Sequence, residues 1–219
     1  MPHSRARTSR GGPALPQSER ASPFGTARAD DYVTARDLAD AAYCARVPLL
    51  RRWVRRPPQR TPSMWHGLAR HAEARMEDRR VPERYGFRPS ATVRREVRLR
   101  SPDLGLSGQI DLLLDDGRRI VPVDLKFGEG AADPADIAQV LGYCALVEAT
   151  TGRTPTEGIV DRRETGQVLR VPYDDAARAL VRDLLALVRG SLAEDRLPTT
   201  APQGNRCAAC DVRRLCQAT

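Results

Sequence analysis

An α/β fold, with helices laid against a β-sheet, is what this sequence predicts, and three observations carry the prediction. Apolar residues recur at helical spacing from Thr34 to Trp53, the period drops to two across residues 91–127, and helical spacing returns from Pro134 to Thr150. No internal repeat interrupts this order. A length of 219 residues allows one sizeable core with a small appended module.

Residues 1–30 are rich in Arg, Ser, Pro and Gly, lack an apolar signal region, and are predicted to be disordered. An organellar transit peptide shares that bias, but its amphipathic helix is opposed by the repeated Pro and Gly; an over-extended start codon also fits. Thr34 then caps a helix whose Leu38, Ala41, Ala42, Ala45, Leu49 and Trp53 recur until Pro57 and Pro58 end it. A second helix is expected over residues 63–80, carrying Trp65, Gly67, His71 and Met76. Three strands follow, ATVRREVRLR, LSGQIDLLL and RRIVPVDLKF, with Asp115-Asp116-Gly117 as the turn between the last two. They form a meander. The next helix has Pro134 in its first turn and Gly152 at its end. Two more strands are expected at TEGIVDR and QVLRVPY, then a last helix from Asp174 and a short cysteine-bearing tail. The expected division is a tail over 1–30, a helical segment over 31–60, a core over 61–195 and a cysteine segment over 196–219.

Composition narrows the function. The formal charge is +8 and the pI about 9.8, which favours a polyanionic partner. No run of twenty apolar residues is present, so no membrane span is expected. Of the 36 Lys and Arg residues a single one, Lys126, is lysine. A Walker A loop needs its lysine in G-x-x-x-x-G-K-[ST], and Lys126 follows Asp-Leu instead, so no nucleotide triphosphate site is expected. A chain that writes arginine almost everywhere keeps lysine here. Lysine is a compact ammonium on a thin stem, whereas arginine is a bulky planar fork that stays charged.

The neighbours of Lys126 are acidic. Asp124 lies two residues earlier, on the same strand face, and the hairpin brings Asp111 of the preceding strand alongside. Two carboxylates and a lysine at one point suit a Mg or Mn ion, which takes hard oxygen ligands and activates water toward a phosphodiester. Lys126 would then orient or deprotonate the water, or offset charge on the phosphate. The plainer reading is an exposed Asp–Lys ion pair of little energetic worth. His71 is a second candidate, four residues after Gly67 on one helix face, with His66 as its competitor about a quarter turn or more away. Gln139 and Tyr143 are likewise four apart.

Three cysteines form Cys207-x2-Cys210-x5-Cys216 in a tail with few apolar residues, which points to a bound metal or cluster. Cys44 or Cys144 would be the fourth ligand. Cys144 reads as a small buried hydrophobe, and Cys44 lies where the first helix can meet the returning C-terminus. Zinc and a 4Fe-4S cluster both accept four thiolates, and the spacing does not separate them. Without a secretory signal the thiols are expected in a reducing, cytoplasmic setting, which opposes a disulfide scaffold.

Gly67 with His71, Gly108-x-x-Asp111, Asp124-x-Lys126 and Gln139-x-x-x-Tyr143 fall in one order across helix, hairpin and helix. This set resembles the RecB-like branch of the PD-(D/E)XK nucleases over residues 63–150. The resemblance implies a restriction-endonuclease-like core, a mixed sheet flanked by helices. It implies that His71, Asp111, Asp124 and the Leu125 carbonyl bind the metal, that Asp111, Asp124, His71 and Lys126 are catalytic, and that Gln139 and Tyr143 hold the active site and DNA. The family often has Glu where this chain has Asp124, and its motif permits Asp. The cysteine layout is similar to the iron–sulfur staple of AddB-type helicase–nucleases and of the Cas-four family of CRISPR-associated exonucleases. That likeness covers residues 32–217 and implies a 4Fe-4S cluster on Cys44, Cys207, Cys210 and Cys216, with zinc as the alternative. It further implies a metal-dependent DNA exonuclease or endonuclease acting on single-stranded ends or overhangs, trimming spacer precursors beside a CRISPR integrase. A stand-alone repair or mobile-element nuclease is the nearest alternative, and a non-catalytic DNA-end-binding scaffold the alternative of another class.

Overall fold

A computed structural model of the chain describes residues 32–53, 81–127, 133–201 and 204–218. The tail expected over 1–30 and the helix expected over 63–80, with Gly67, His66 and His71, lie outside the described residues.

Thr34 closes a capping box with Asp37 and starts α1 (Ala35–Tyr43). The single helix expected from Thr34 onward is corrected here. Cys44 is extended, with φ −163° and ψ 128°, and a separate helix α2 (Val47–Trp53) follows. The cause is Pro48, which has no N–H to give the Cys44 carbonyl and whose ring would clash with it in a continuous helix. The Val47 N–H takes that carbonyl instead, at 3.0 Å. Apolar spacing runs through the break because both helices bury apolar residues, Leu38 and Ala41 from one and Leu49 and Leu50 from the other.

After the short α3 (Val81–Arg84) come β2 (Thr92–Ser101), β3 (Leu106–Asp115) and β4 (Ile120–Lys126), the expected antiparallel meander. Asp133 caps α4 (Pro134–Thr151), Pro134 fills its first position, and Gly152 ends it in the left-handed region at φ 67°. The helix is the crossover that lets β5 (Glu157–Arg162) pair parallel to β4, and β6 (Gln167–Pro172) returns antiparallel to β5. The last helices are α5 (Asp175–Glu194), α6 (Gly204–Ala209) and α7 (Arg213–Ala218).

A two-residue strand, β1 (Val33–Thr34), pairs parallel to β3 at Leu106 and Ser107. Since β2 runs along one edge of β3, β1 and β4 share the other, with β4 pairing at Leu112–Asp115. Between them, residues Gly108 to Asp111 have no strand partner on that side among the described residues. The sheet is split there.

Helix α4 is buried for most of its length, with Val140, Leu141, Cys144 and Leu146 in one apolar layer with Leu38, Leu113 and Leu184. A second layer on the opposite sheet face joins Val81, Tyr85 and Phe87 to Leu112, Leu114, Val123 and Leu125. Asp161 of β5 is fully buried and pins α3 and the residue after it to that face, accepting from Arg84 Nε and Nη2 at 2.9 and 2.7 Å and from the Tyr85 hydroxyl at 2.7 Å. The two layers expose a fault in strand period: Ile110 belongs to the α4 layer, while Leu112, an even step away, belongs to the other. Opposite this point in the ladder, Glu96 of β2 takes φ 50°. The distortion turns the strand at Asp111, beside the split.

Candidate active site and cysteine cavity

The register that pairs Leu112 with Val123 would next set Asp111 opposite Asp124, but the ladder ends there. The Asp111 side chain takes over: its Oδ2 accepts the Leu125 N–H at 2.8 Å, standing in for a strand carbonyl. Beyond this point β4 pairs with β5, Asp124 with Val160 and Lys126 with Arg162. Strand alternation puts Asp124 and Lys126 on the face covered by α4. Lys126 Nζ lies 2.9 Å from Asp124 Oδ2, donates to Gln139 Oε1 at 2.8 Å, and lies 3.4 Å from Asp136 Oδ1. Gln139 Nε2 in turn donates to the Tyr143 hydroxyl at 2.8 Å. Asp111, Asp124, Lys126, Gln139 and Tyr143 are therefore one connected group.

Burial dominates its electrostatics. Burial and the adjacent Asp124 charge push the Asp111 carboxyl up to about 7. Burial also raises Asp124, against the pull of Lys126. For Lys126 burial works to lower the ammonium's pKa, and Asp124 and Asp136 outweigh it and hold it above the ordinary lysine value. Asp124 Oδ2 is buried and, despite its ion pair, accepts no aligned hydrogen bond. A buried carboxylate beside a second carboxylate suits a hard divalent cation. Among the described residues no group of three His, Cys, Asp or Glu side chains converges on one point. His71, the third side chain expected, lies outside them.

Gly108 supports the same face. A Cβ there would come within 3.0 Å of Leu146 Cδ1 and of Tyr143 Cε1. Gly108→Val is expected to cost about 1–3 kcal/mol of stability in urea unfolding, with Tyr143 displaced.

The sequence reading missed Asp136 and Arg162. Asp136 reads as an ordinary helix-start acid, and Arg162 is one arginine among many; only the β4–β5 register and the α4 crossover bring them to Lys126.

Four of the five cysteines share one place. Cys44 after α1, Cys207 and Cys210 around α6 and Cys216 in α7 line a cavity of about 340 Å³. Arg46 Nη1 donates to Cys216 Sγ at 3.1 Å, and the Tyr43 hydroxyl donates to the Arg206 carbonyl at 2.5 Å, tying α1 to the tail. None of the five is in a disulfide. Cys144 is fully buried within α4, its thiol pushed up by burial.

Comparison with known proteins decides the family. The model of the PD-(D/E)XK nuclease superfamily matches residues 18–217. The chain belongs to that superfamily. Its mixed sheet flanked by helices is the PD-(D/E)XK fold read from the motifs. The chain is 29% identical over 199 residues, 87% of its length, to a CRISPR-associated exonuclease Cas4/endonuclease Cas1 fusion and to a CRISPR-associated exonuclease Cas4, both of Rhodospirillum rubrum. It spans 34% and 59% of the length of those two relatives. A Cas4/Cas1 fusion of Myxococcus xanthus is 30% identical over 55% of this chain and 22% of its own. The crystal structure of SSO0001 superposes on this PD-(D/E)XK chain with a TM-score of 0.51, covering 88% of this chain and 89% of that one at 13% identity, which is a likeness of fold. The resemblance to Cas4 exonucleases read from the motifs agrees with these matches.

Proposed function

We propose that the chain is a metal-dependent DNA nuclease that hydrolyses phosphodiester bonds at single-stranded ends or overhangs. The observation that carries this reading is the meeting of Asp111, the buried Asp124 and Lys126 at the split in the sheet. Asp111, Asp124 and the Leu125 carbonyl would hold a Mg or Mn ion, with His71 completing the set. Such an ion supplies an activated water at neutral pH and charge neutralisation at the phosphate. Lys126 presents its ammonium beside the acidic pair, where it offsets negative charge on the phosphate undergoing attack. Gln139 orients that ammonium, and Tyr143 orients Gln139. The net charge of +8 adds a salt-sensitive attraction to the DNA backbone.

The cysteine cavity is read as the seat of a 4Fe-4S cluster on Cys44, Cys207, Cys210 and Cys216. Four thiols lining one cavity of about 340 Å³ match the ligand number of such a cluster, with zinc as the alternative. Cys44→Ser and Cys216→Ser are each expected to remove the brown visible absorbance of anaerobically purified protein and to lower its melting temperature. Stoichiometric zinc in colourless wild-type protein would replace the cluster by zinc. The fusion of Cas4 to Cas1 in the relatives favours a role beside a CRISPR integrase, trimming spacer precursors in the reducing cytoplasm.

The test is cleavage of end-labelled single- and double-stranded DNA by anaerobically purified protein with Mn²⁺ or Mg²⁺. Metal-dependent shortening of single-stranded ends supports the reading; salt-sensitive binding without any cleavage would favour a DNA-end-binding scaffold.

A further inference from the structure

We propose that Asp136 and Arg162 are a positioning pair that holds the Lys126 ammonium at the active site. In the parallel ladder Lys126 pairs with Arg162, so two cations stand side by side on the sheet face covered by α4. Left alone they would repel. Asp136 lies between them: its Oδ2 accepts from Arg162 Nη2, and its Oδ1 is 3.4 Å from Lys126 Nζ. Gln139, three residues on and therefore on the same helix face, takes Nζ from the other side at 2.8 Å.

Asp136 also closes the capping box at the start of α4, a role that accounts for neither its Arg162 bond nor its contact with Lys126. The cap is made by Asp133, whose Oδ1 accepts the Asp136 N–H at 2.9 Å, while the return bond from the Asp133 N–H to Asp136 Oδ2 is 3.4 Å long. Asp136 and Arg162 are each only 9% exposed. A buried ion pair gives little net stability compared with apolar residues of similar size, so its presence here calls for another reason. Asp124 also touches Nζ, but it is a proposed metal ligand and its charge is shared. Asp136 is the anion beside Nζ that lies outside the proposed ligand set, and Arg162 fixes its carboxylate plane. A side chain locked by such a partner holds a charge to the tolerance that catalysis needs.

The pair deepens the nuclease reading and rests on it for kinetics, whereas the spectroscopic readout stands apart from activity. Lys126 is the single lysine of the chain, so growth on ¹⁵N-lysine gives one side-chain ammonium signal. The full-length protein, without metal, is compared with Asp136→Asn and Arg162→Gln. The ammonium signal is expected to shift or broaden in both variants, with the larger change in Asp136→Asn. With Mn²⁺ and end-labelled single-stranded DNA, kcat should fall about 10- to 100-fold in Asp136→Asn and less in Arg162→Gln, with KM and Mn²⁺ affinity within about twofold of wild type. An unchanged ammonium signal in two folded variants overturns the proposal, and so does a kcat loss that only tracks the folded fraction. If wild-type protein cleaves nothing, the nuclease reading fails, and the ammonium signal still decides whether Asp136 holds Lys126.

Discussion

Lys126→Arg is expected to lower single-turnover cleavage of single-stranded DNA by at least about 100-fold while folding and DNA binding persist. The Lys126 side chain is only 21% exposed, and its Nζ fits among Asp124, Gln139 and Asp136 at 2.9, 2.8 and 3.4 Å. A guanidinium is longer and flat, and cannot place its charge at that point without pushing aside one of the three acceptors. Its positive sign is retained, so a field effect alone would preserve the rate. Asp124 and Asp136 hold the ammonium protonated, which makes Lys126 a fixed cation at neutral pH. The predicted loss therefore measures placement of charge. An arginine variant within about tenfold of wild type would remove Lys126 from the chemistry, since a correctly placed transition-state donor is worth more than that.

Asp111→Asn is expected to lower cleavage by at least about 100-fold and to raise the melting temperature of the metal-free protein by a few degrees well above pH 7. The two effects have one origin. Burial and Asp124 raise the Asp111 carboxyl from 3.8 to about 7. Between those values the folded state binds the proton more tightly than the unfolded chain does, so ionisation weighs against the fold. The gain from asparagine is largest above about pH 7 and shrinks as the pH falls toward 4. Metal affinity of the wild type should weaken over the same fall, because a ligand must be deprotonated to bind. Thermal melts with EDTA across that range, and Mn²⁺ titrations beside them, check both signs. A variant no more stable than wild type above pH 7 would place Asp111 in a more polar setting than the structure gives it.

Much of the fold was legible because local chemistry and burial agree. The three meander strands, the Asp115-Asp116-Gly117 turn and the helix bounded by Pro134 and Gly152 all carry their own signals, and each appears where its signal lies. The break at Cys44 had a signal too. Pro48 marks it four residues downstream, but unbroken apolar spacing masked it. The two-residue β1 is too short to show a period, and its pairing depends on a contact with β3 across most of the described N-terminal half. The turn in β3 at Ile110 and Asp111 goes against the strand period, and no turn residue marks it. In the candidate site, two acids and a lone lysine were conspicuous by type and spacing. Arg162 was hidden by the same arginine excess that made Lys126 stand out. Asp136 was hidden by its position, since an acid in the first turn of a helix already has an ordinary explanation.

Helix α1 reaches from one centre to the other. Its first residue, Ala35, packs where a Cβ on Gly108 or Gly142 would intrude, and Arg36 contributes to the field at Asp124, Lys126 and Tyr143. At its other end Tyr43 and Cys44 form part of the cavity wall. Arg36 and Cys44 are about 12 Å apart along an axis rising ~1.5 Å per residue. So short a helix behaves as a rigid strut, with little length over which to bend. The cysteine tail, remote from the acidic pair in sequence, is therefore its mechanical neighbour: a shift in how the tail seats against α1 is carried to the far end of the same rod.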